Sequence, residues 1–298
     1  MTATTPVERS RTRPEAAPRR GSGISWDKPL VYLVSLAVIG VTIAPVIYVI
    51  LGGFRTTAQI NADPNALPDP WVMSNYIEVL TSGRFWSQAL QSSISAFGTT
   101  FGVVLIGVMA AFAIARYEFR GRQALYSIFV AGLLFPLTVA VLPLTVMLRD
   151  MGLFGSVLGL IIPQVAFALP TTIIILVPFL RASPAELEEA AKIDGATKIG
   201  FFWRIMLPLA GPGLVTVGVL AFVASWNAYL LPLFVLGAGG APIEAYTLPL
   251  GVQQFSTQYS ANTAGVLAFT SLAMIPALVF FLALEKRIVG GLTGAVKG

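Results

Sequence analysis

The sequence of 298 residues contains no cysteine and no histidine, and only 11% of its residues are charged. Without cysteine the chain forms no disulfide and no thiolate metal site, and without histidine it lacks the most common general base and metal ligand. Hydrolytic or metal-dependent chemistry is therefore not expected of it. Soluble domains carry about 25% charged residues, whereas 56% of this chain is hydrophobic. This composition indicates a membrane protein.

Long apolar runs make up most of the chain. Six runs are each long enough to cross about 30 Å of hydrocarbon as a helix, and they cover approximately residues 30–52, 87–115, 123–148, 157–180, 211–236 and 263–284. The first is too long for the core of a signal peptide, so we expect it to remain uncleaved. Prolines inside the third and fourth runs predict interrupted, bent helices that line something other than lipid. The sequence therefore predicts an all-α polytopic membrane protein with six transmembrane helices.

Basic residues are unevenly distributed along the chain. Residues 1–28 carry six Lys and Arg among Pro, Thr, Ser and Ala, and we predict that they form a disordered tail. Of the 19 Lys and Arg, 16 lie in this tail, in two loops at 116–122 and 181–204, or near the C-terminus. The other three are Arg55, Arg84 and Arg149. The positive-inside rule then predicts that both termini are cytoplasmic. The net charge of +5 thus reflects membrane orientation, and no nucleic-acid partner is expected.

A polar stretch at residues 182–208 separates the fourth and fifth apolar runs. Its beginning predicts a helix with Ser183 as the N-cap, Pro184 at the first helical position and Glu186 completing a capping box. Gly195 is expected to end this helix in the left-handed conformation, and a second helix is predicted from Lys198 to Leu207. The predicted arrangement is helix, glycine turn, helix on one face of the membrane.

The spacing in this stretch resembles the EAA loop of bacterial ABC-importer permeases. Glu189-Ala190-Ala191 is followed by three residues, Gly195, nine further residues, and Ile205-Met206-Leu207-Pro208. We call residues 182–208 the EAA loop. The resemblance implies a type I importer permease with its core at about residues 87–284, whose EAA loop docks on a separate dimer of ATPase subunits. ATP and Mg²⁺ would then be bound by that partner, with no cofactor in this chain.

The same resemblance assigns the residues that would couple this chain to the ATPase. In the EAA loop these are Glu186, Glu189, Ala190, Ala191, Asp194, Gly195, Ile205, Leu207 and Pro208. In this family the C-terminal tail also reaches toward the ATPases, which makes Lys297 a candidate for a second contact. The chain has no phosphate-binding loop of its own, so we expect it not to hydrolyse ATP.

Three further stretches look like the maltose-type carbohydrate permeases: Trp71 to Tyr76, Ser225-Trp226-Asn227, and Gly291 to Gly298. This likeness implies a sugar importer of the bacterial cell membrane, with a second permease subunit as a heterodimer partner and an extracytoplasmic solute-binding protein. Glycerol-phosphate or another polyol is the alternative substrate class, because related permeases look alike. Residues 29–298 would form the six-span permease domain.

Uncharged polar side chains within the spans are candidates for the translocation path. Amide, hydroxyl and aromatic groups suit sugar hydroxyls and sugar faces, and we select Gln91, Gln164, Trp226, Asn227 and Tyr229. The alternative is that these groups form hydrogen bonds between helices, each contributing about 0.6 kcal/mol. A secondary carrier would need ionisable residues within the spans, and none lies well inside them. A membrane-embedded enzyme would have to rely on loop carboxylates.

Overall fold

The computed structural model describes residues 27–255 and 262–296, and every regular element within these ranges is helical. Its α-helices are α1 (Asp27–Gly53), α2 (Thr57–Ala62), α3 (Ser74–Thr81), α4 (Gly83–Arg116), α5 (Arg122–Gly132), α6 (Leu137–Asp150), α7 (Leu158–Arg181), α8 (Glu186–Ile193), α9 (Lys198–Phe201), α10 (Leu207–Leu209), α11 (Gly211–Trp226), α12 (Leu230–Pro232), α13 (Leu248–Gly251) and α14 (Thr263–Val296). The N-terminal tail, predicted to be disordered, and Lys297 lie outside the described residues.

The chain divides into two units, residues 1–45 and residues 46–298. In the first unit, the described residues form the beginning of α1, where the Thr42 hydroxyl donates a hydrogen bond to the Val38 carbonyl (2.7 Å). The second unit contains the end of α1 and all the other helices. The cavity and the EAA loop both belong to this second unit.

Four helices are long and apolar enough to cross a membrane, and they correspond to the first, second, fourth and sixth predicted spans. Their spanning parts are Pro29–Gly53, Gly83–Arg116, Leu158–Arg181 and Thr263–Leu284. Two bent helix pairs bring the number to six if each pair counts as one span. The predicted all-α architecture is therefore confirmed.

The third predicted span, 123–148, is not one continuous helix. It consists of α5 and α6, whose axes differ in direction by 102°. The break ends at Pro136, which lies at the N-cap of α6. Proline disfavours the helical conformation of the residue before it, so the helix cannot continue smoothly through Phe135. The bend predicted from the prolines of this run is therefore confirmed, and it lies at Pro136.

The fifth predicted span, 211–236, is also interrupted. The helix α11 ends at Trp226, and after a short break α12 leads into a π-helical turn at Leu233–Gly237. Pro232 cannot donate a hydrogen bond to the carbonyl four residues earlier, and its ring clashes with that carbonyl. In addition, residues Lys198–Leu209 and α11 form the second bent pair, with an angle of 74°.

In contrast, α7 continues through Pro163, Pro170 and Pro178 without interruption. The interruptions predicted at these prolines are therefore wrong for this helix, which packs along α4 for most of its length. Three α4 glycines make this close packing possible. A Cβ added to Gly98 would lie 2.7 Å from Ile161 Cδ1, one on Gly102 would lie 2.7 Å from Val165 Cγ2, and one on Gly107 would collide with Thr172.

The segment between α1 and α4, which connects the first two predicted spans, contains the short helices α2 and α3. Arg55 fixes its conformation from the inside, because this side chain is almost fully buried. Its guanidinium donates to the carbonyls of Gln59 (2.7 Å) and Pro64 (3.0 Å), and also to that of Asp63. The segment is therefore an ordered structure built around a buried cation.

Candidate functional site

The EAA loop begins differently from the prediction. Ala185, and not Ser183, is the N-cap of α8, and its carbonyl accepts the N–H groups of Glu188 (2.9 Å) and Glu189 (3.2 Å). No side chain caps this end, so the predicted capping box is wrong. The physical reason is that Ala185 is already in the helical conformation. The Ser183 carbonyl instead accepts a hydrogen bond from Arg116 Nη2 (2.8 Å).

The end of α8 agrees with the prediction. Gly195 is in the left-handed conformation with φ of 79°. Its N–H donates to the Lys192 carbonyl (3.1 Å), and the Ala196 N–H donates to the Ala191 carbonyl (2.8 Å), which is the hydrogen-bond pattern of a Schellman motif. A Cβ at Gly195 would meet nothing within 4 Å, so glycine is required here by backbone conformation and not by lack of space.

A second helical run follows, as predicted, but it contains a π-helical turn. The Thr197 hydroxyl caps α9 by accepting the Gly200 N–H (3.1 Å). Residues Phe202–Met206 then form the π-helical turn before α10. Pro208 has no N–H to donate to the carbonyl of Arg204, and this missing hydrogen bond explains why the regular pattern fails here.

The EAA motif residues divide between a buried and an exposed face. Ala191 is buried in the same apolar cluster as Phe201, Phe202 and Met206, whereas Ile205 and Leu207 are half-buried at its edge. The exposed members are Glu186, Glu189, Ala190, Asp194, Gly195 and Pro208. One face of the EAA loop therefore packs against the helix bundle, and the opposite face exposes its acidic side chains.

Exposed apolar side chains accompany this acidic face. The most exposed are Ile193 and Ile199, at 86% and 72%. Sequence reasoning did not select them, although isoleucine beside Asp194 on a polar helix was a usable signal. Glu188 is paired with Lys192 (3.0 Å), while Glu189 takes part in neither of the two ion pairs recorded in the described part of the chain. Its carboxylate thus remains available to a partner.

Tyr117 follows α4 directly and faces the EAA loop. Burial raises the pKa of its phenol because the charged form loses hydration, and the nearby Glu188 carboxylate raises this pKa further. Lys198 Nζ lies 4.9 Å from the centre of the Tyr117 ring, within the range of a cation–π interaction. Tyr117 therefore stays neutral at physiological pH and presents its ring to a cation.

A cavity of about 500 Å³ lies among α4, α6, α7, α11 and the residues after α11. All of its lining side chains are uncharged, and most are apolar. Three polar members come from α7, and one each from α4, from α11 and from the residues after α11: Thr99, Gln164, Thr171, Thr172, Ser225 and Tyr229. A neutral ligand with hydroxyl groups matches such a wall better than an anion does.

Hydrogen bonds connect three of these polar residues. The Thr99 hydroxyl donates to Gln164 Oε1 (3.1 Å) and accepts from the Ser225 hydroxyl (3.5 Å). Gln164 Nε2 is buried and has no hydrogen-bond partner within the described structure. The Tyr229 hydroxyl accepts a hydrogen bond from Gln253 Nε2 (2.9 Å), which leaves its own O–H able to donate. The Tyr229 hydroxyl is thus an unused donor in the cavity wall, whereas the Gln164 amide nitrogen is covered by protein.

Of the five residues predicted for the translocation path, Gln164 and Tyr229 line this cavity. Trp226 is instead buried, stacks against Phe222 at 5.6 Å, and donates its indole N–H to the Ala273 carbonyl (3.1 Å). Its neighbour Ser225 does line the cavity, because successive helical residues point about 100° apart. The structure therefore places Trp226 in helix packing and not in the cavity wall.

The other two residues also lie outside the lining of this cavity. Asn227 is the C-cap of α11, and its side-chain amide donates to the Val223 carbonyl (2.9 Å). Gln91 is half-buried on α4. The polar wall residues that sequence reasoning missed are Thr99, Thr171, Thr172 and Ser225. For Thr99 a signal existed, since Gln88, Ser92 and Ser95 precede it at helical spacing on α4.

Comparison with known proteins gives this geometry its context. Residues 103–290 match the family described as "Binding-protein-dependent transport system inner membrane component". The chain belongs to this family. It is therefore a permease subunit of an ABC transport system, a multi-pass protein of the bacterial inner membrane, and not an enzyme. These conclusions confirm the predicted family and class.

Two curated relatives cover most of the chain. The diacetylchitobiose uptake system permease protein NgcG of Streptomyces coelicolor is 33% identical over 255 residues, which are 85% of this chain and 83% of the relative. The trehalose transport system permease protein SugB of Mycobacterium tuberculosis is 37% identical over 264 residues, which are 88% of this chain and 94% of the relative. The similarity thus extends well beyond the EAA loop.

A solved structure supports the type I importer fold. It is a bacterial ABC transporter involved in the import of the acidic polysaccharide alginate, and it superimposes with a TM-score of 0.73. The match covers 88% of this chain and 98% of the other, with 21% sequence identity. At this identity the likeness establishes the fold alone, and it agrees with the predicted architecture.

Proposed function

We propose that this chain passes a sugar, from a mono- to an oligosaccharide, from an extracytoplasmic binding protein into the cytoplasm. The observation that carries the proposal is the uncharged, hydroxyl- and amide-bearing cavity inside a chain of this family. The relatives named for diacetylchitobiose and trehalose transport support it. Glycerol-phosphate fits less well, because an anion would lack a basic partner among the side chains that line this cavity.

The size and polarity of the cavity support the transfer of a small sugar. Ligand sites generally occupy about 300–1,000 Å³, and this cavity encloses about 500 Å³. The Tyr229 hydroxyl supplies a hydrogen-bond donor, the Gln164 side chain lines the same cavity, and the apolar wall suits the C–H faces of a sugar ring. We assign direct contact to these two residues, an indirect role through helix packing to Trp226, and a helix-capping role to Asn227.

The energy source in this proposal is a separate pair of ATPase subunits, which bind ATP and Mg²⁺. Glu186, Glu189 and Asp194 offer exposed carboxylates to basic groups of that partner. Ala190, Gly195 and Pro208 complete the exposed surface, while Ala191, Ile205 and Leu207 keep it seated on the bundle. Lys297 would add a contact from the C-terminal tail. A second permease subunit, a solute-binding protein and cytoplasmic termini complete the assembly.

Uptake by the reconstituted complex tests the sugar proposal. The permease pair, the ATPase and the binding protein are placed in liposomes, with radiolabelled trehalose and diacetylchitobiose as the first probes. Gln164→Leu should lower uptake roughly tenfold, since a lost hydrogen bond to substrate costs about 0.5–1.5 kcal/mol and the apolar replacement leaves sugar hydroxyls unpaired. Gln91→Leu is the matched control outside the cavity lining, and it should leave uptake unchanged.

The outcomes separate the alternatives. If Gln91→Leu and Gln164→Leu lower uptake equally, the cavity is not the path. If glycerol-phosphate is taken up and neither sugar is, the substrate class is wrong. ATP hydrolysis by the purified single chain would contradict the division of labour between permease and ATPase.

A second experiment tests the docking role of the EAA loop. Glu189→Lys reverses an exposed charge, and Gly195→Leu places a branched side chain at a left-handed position, which costs about 1–2 kcal/mol. Both variants should insert into the membrane but lose the ATPase during co-purification. Glu118→Lys reverses an exposed charge in the neighbouring loop and serves as the control. Wild-type ATPase association and stimulation in both EAA variants would show that the loop does not dock.

A further inference from the structure

The end of α4 holds the EAA loop at its entry point. Arg116 is the last residue of α4, and its Nη2 donates to the carbonyl of Ser183, 67 positions further along the chain (2.8 Å). Ser183 lies between the end of α7 and the beginning of α8. The hydrogen bond therefore fixes the peptide through which the EAA loop leaves the bundle.

The residue after Arg116 holds the second half of the same loop. The Tyr117 ring packs edge-on against Phe112 (5.4 Å between ring centres) and lies 4.9 Å from Lys198 Nζ. Lys198 is the first residue of α9. Arg116 and Tyr117 together thus contact the loop on both sides of α8, one through a carbonyl and the other through a cation.

Apolar packing fills the space between these two polar contacts. The Phe112 ring lies 4.9 Å from that of Phe202 and 6.3 Å from that of Phe201. Such packing supports the loop, but apolar contacts alone do not fix the direction in which a displacement of the loop would be transmitted to α4. A charge-assisted hydrogen bond does fix this direction, because its strength depends on both distance and angle.

The Arg116 contact has a cost that packing alone would not require. Arg116 Nε is buried without a hydrogen-bond partner in the described structure, and such a group loses its hydration without compensation. The favourable hydrogen bond from Arg116 Nη2 to the Ser183 carbonyl is the contact that offsets this cost. The guanidinium therefore has a role beyond filling space at the end of a helix.

The other part of α4 reaches the cavity. Thr99 lies in the cavity wall, 17 residues before Arg116, which corresponds to about 25 Å along a helix. No proline interrupts α4 between these residues. A displacement at Arg116 can therefore reach Thr99 through one continuous helix.

We propose that Arg116 and Tyr117 are positioning residues for energy coupling, which clasp the EAA loop to α4 so that the two move together. This inference rests on the proposed function, since it requires an ATPase that acts on the EAA loop. Movement of the loop would then be transmitted along α4 to the Thr99 hydrogen bonds in the cavity wall. The clasp transmits movement; the exposed face of α8 makes the docking contact.

The absence of cysteine from the chain allows a direct test by spin labelling. Labels at Glu118→Cys and Arg204→Cys occupy exposed positions on the two sides of the clasp. In the complex with ATPase, the distance between these labels should be the same before and after trapping with ATP and vanadate. In Arg116→Gln and in Tyr117→Leu, trapping should change this distance or broaden its distribution.

Coupling provides the functional measurement. In liposomes with trehalose as the probe, Arg116→Gln should retain ATPase co-purification while trehalose transported per ATP falls about fivefold or more, a typical size for coupling between sites. Arg116→Lys keeps one donor for the Ser183 carbonyl and should recover part of the ratio. Arg120→Gln, which removes the same charge at an exposed position of the same loop, should change neither measurement.

The possible results distinguish this inference from the proposed function. If the wild-type complex neither retains the ATPase nor transports a sugar, the proposed function fails. If the wild-type complex works and Arg116→Gln matches it in both label distance and transport per ATP, the clasp is refuted. A change in label distance within the wild-type complex on trapping would also refute it, because loop and helix would then move separately.

Discussion

The two halves of α4 hold their neighbours by different means. The half nearer Gly83 carries a stripe of four buried polar side chains at helical spacing, Gln88, Ser92, Ser95 and Thr99. Ser92 accepts the Leu248 N–H (2.7 Å), and Gln88 donates to the Ile243 carbonyl (2.9 Å). These hydrogen bonds fix the register between α4 and the segment before α14.

The half nearer Arg116 is apolar apart from Thr100 and its last residue. Its buried side chains pack on α7 and on the EAA loop: Val108, Ala111, Phe112, Ile114 and Ala115. Aromatic rings from the EAA loop complete this cluster, and Arg116 supplies the hydrogen bond to Ser183. Shape complementarity, and not a ladder of hydrogen bonds, holds this end together.

The two halves of α4 differ because lipid surrounds the contacts of one half and water surrounds those of the other. Within a bilayer, lipid tails are as apolar as leucine, so burying apolar surface between helices gains little, and hydrogen bonds or close backbone packing must specify the contact. Where a loop meets water, apolar burial is favourable in itself. Apolar packing thus contributes to seating the EAA loop alongside the Arg116 and Tyr117 contacts, whereas α4 needs polar side chains and glycines to define its neighbours elsewhere.

Removing the aromatic centre of the apolar half should have the largest effect. Phe112→Ala leaves a cavity among the Tyr117, Phe201 and Phe202 rings, and buried phenylalanine truncations cost about 3–5 kcal/mol. We expect a lower melting temperature of the detergent-solubilised complex and loss of the ATPase. Phe119→Ala, at an exposed position of the adjacent loop, is the control. Equal melting temperatures for the two variants would contradict the packing argument.

Filling the close contact in the middle of α4 should have the next largest effect. Gly102→Leu places a side chain against Val165, where even a Cβ would lie 2.7 Å from Cγ2, and overpacking costs about 1–3 kcal/mol. The expected result is a reduced yield of monodisperse protein in size-exclusion chromatography. Gly83→Leu is the matched control, since a Cβ there meets nothing within 4 Å. If Gly102→Leu behaves like Gly83→Leu, the two helices do not pack as closely as described.

Local sequence patterns predicted one part of this molecule better than the other. Gly195 was predictable because a left-handed helix end depends on a few adjacent residues. The Ser183 cap was predicted wrongly because Ala185 already adopts the helical conformation and Arg116 holds the Ser183 carbonyl, and no local pattern contains the second contact. Proline interrupts the helix at one position and not at another, since the helix breaks at Pro136 but α7 continues through Pro170. Tertiary packing decides between these outcomes.

The cavity was predictable only in part for a related reason. Gln164 and Tyr229 were selected by chemistry alone, and they do line it. Trp226 has equally suitable chemistry but lies one position beyond Ser225, on the side of α11 that packs against α14. Neighbouring helices determine which side of α11 faces the cavity. The helical spacing of polar residues on α4 was the unused indication that Thr99 belongs to the wall.

Removing one hydrogen bond from the polar half should have a smaller effect. Ser92→Ala leaves the Leu248 N–H without its acceptor, and hydrogen bonds of this kind within a bilayer contribute about 0.6 kcal/mol on average, with a maximum near 1.7. We expect a small decrease in melting temperature and faster proteolysis of the segment near Leu248. Ser93→Ala is the control, because its hydroxyl bonds only the Ala89 carbonyl within its own helix. Identical proteolysis of both variants would show that the stripe does not hold this segment.

The smallest effect on stability is expected at Thr99, where the polar stripe reaches the cavity. Thr99→Val keeps the shape of the side chain but removes the donor to Gln164 and the acceptor for Ser225. The Ser225 hydroxyl keeps its contact with the Ser95 hydroxyl (3.4 Å), so only the bond to Gln164 is lost without replacement. This costs about 0.6 kcal/mol, and the melting temperature should barely change. Sugar uptake should nevertheless fall, because the Gln164 amide loses the hydrogen bond that fixes its orientation in the cavity wall. Thr100→Val removes only a bond to the Ala96 carbonyl within α4, and uptake reduced equally in both variants would mean that Thr99 does not orient Gln164.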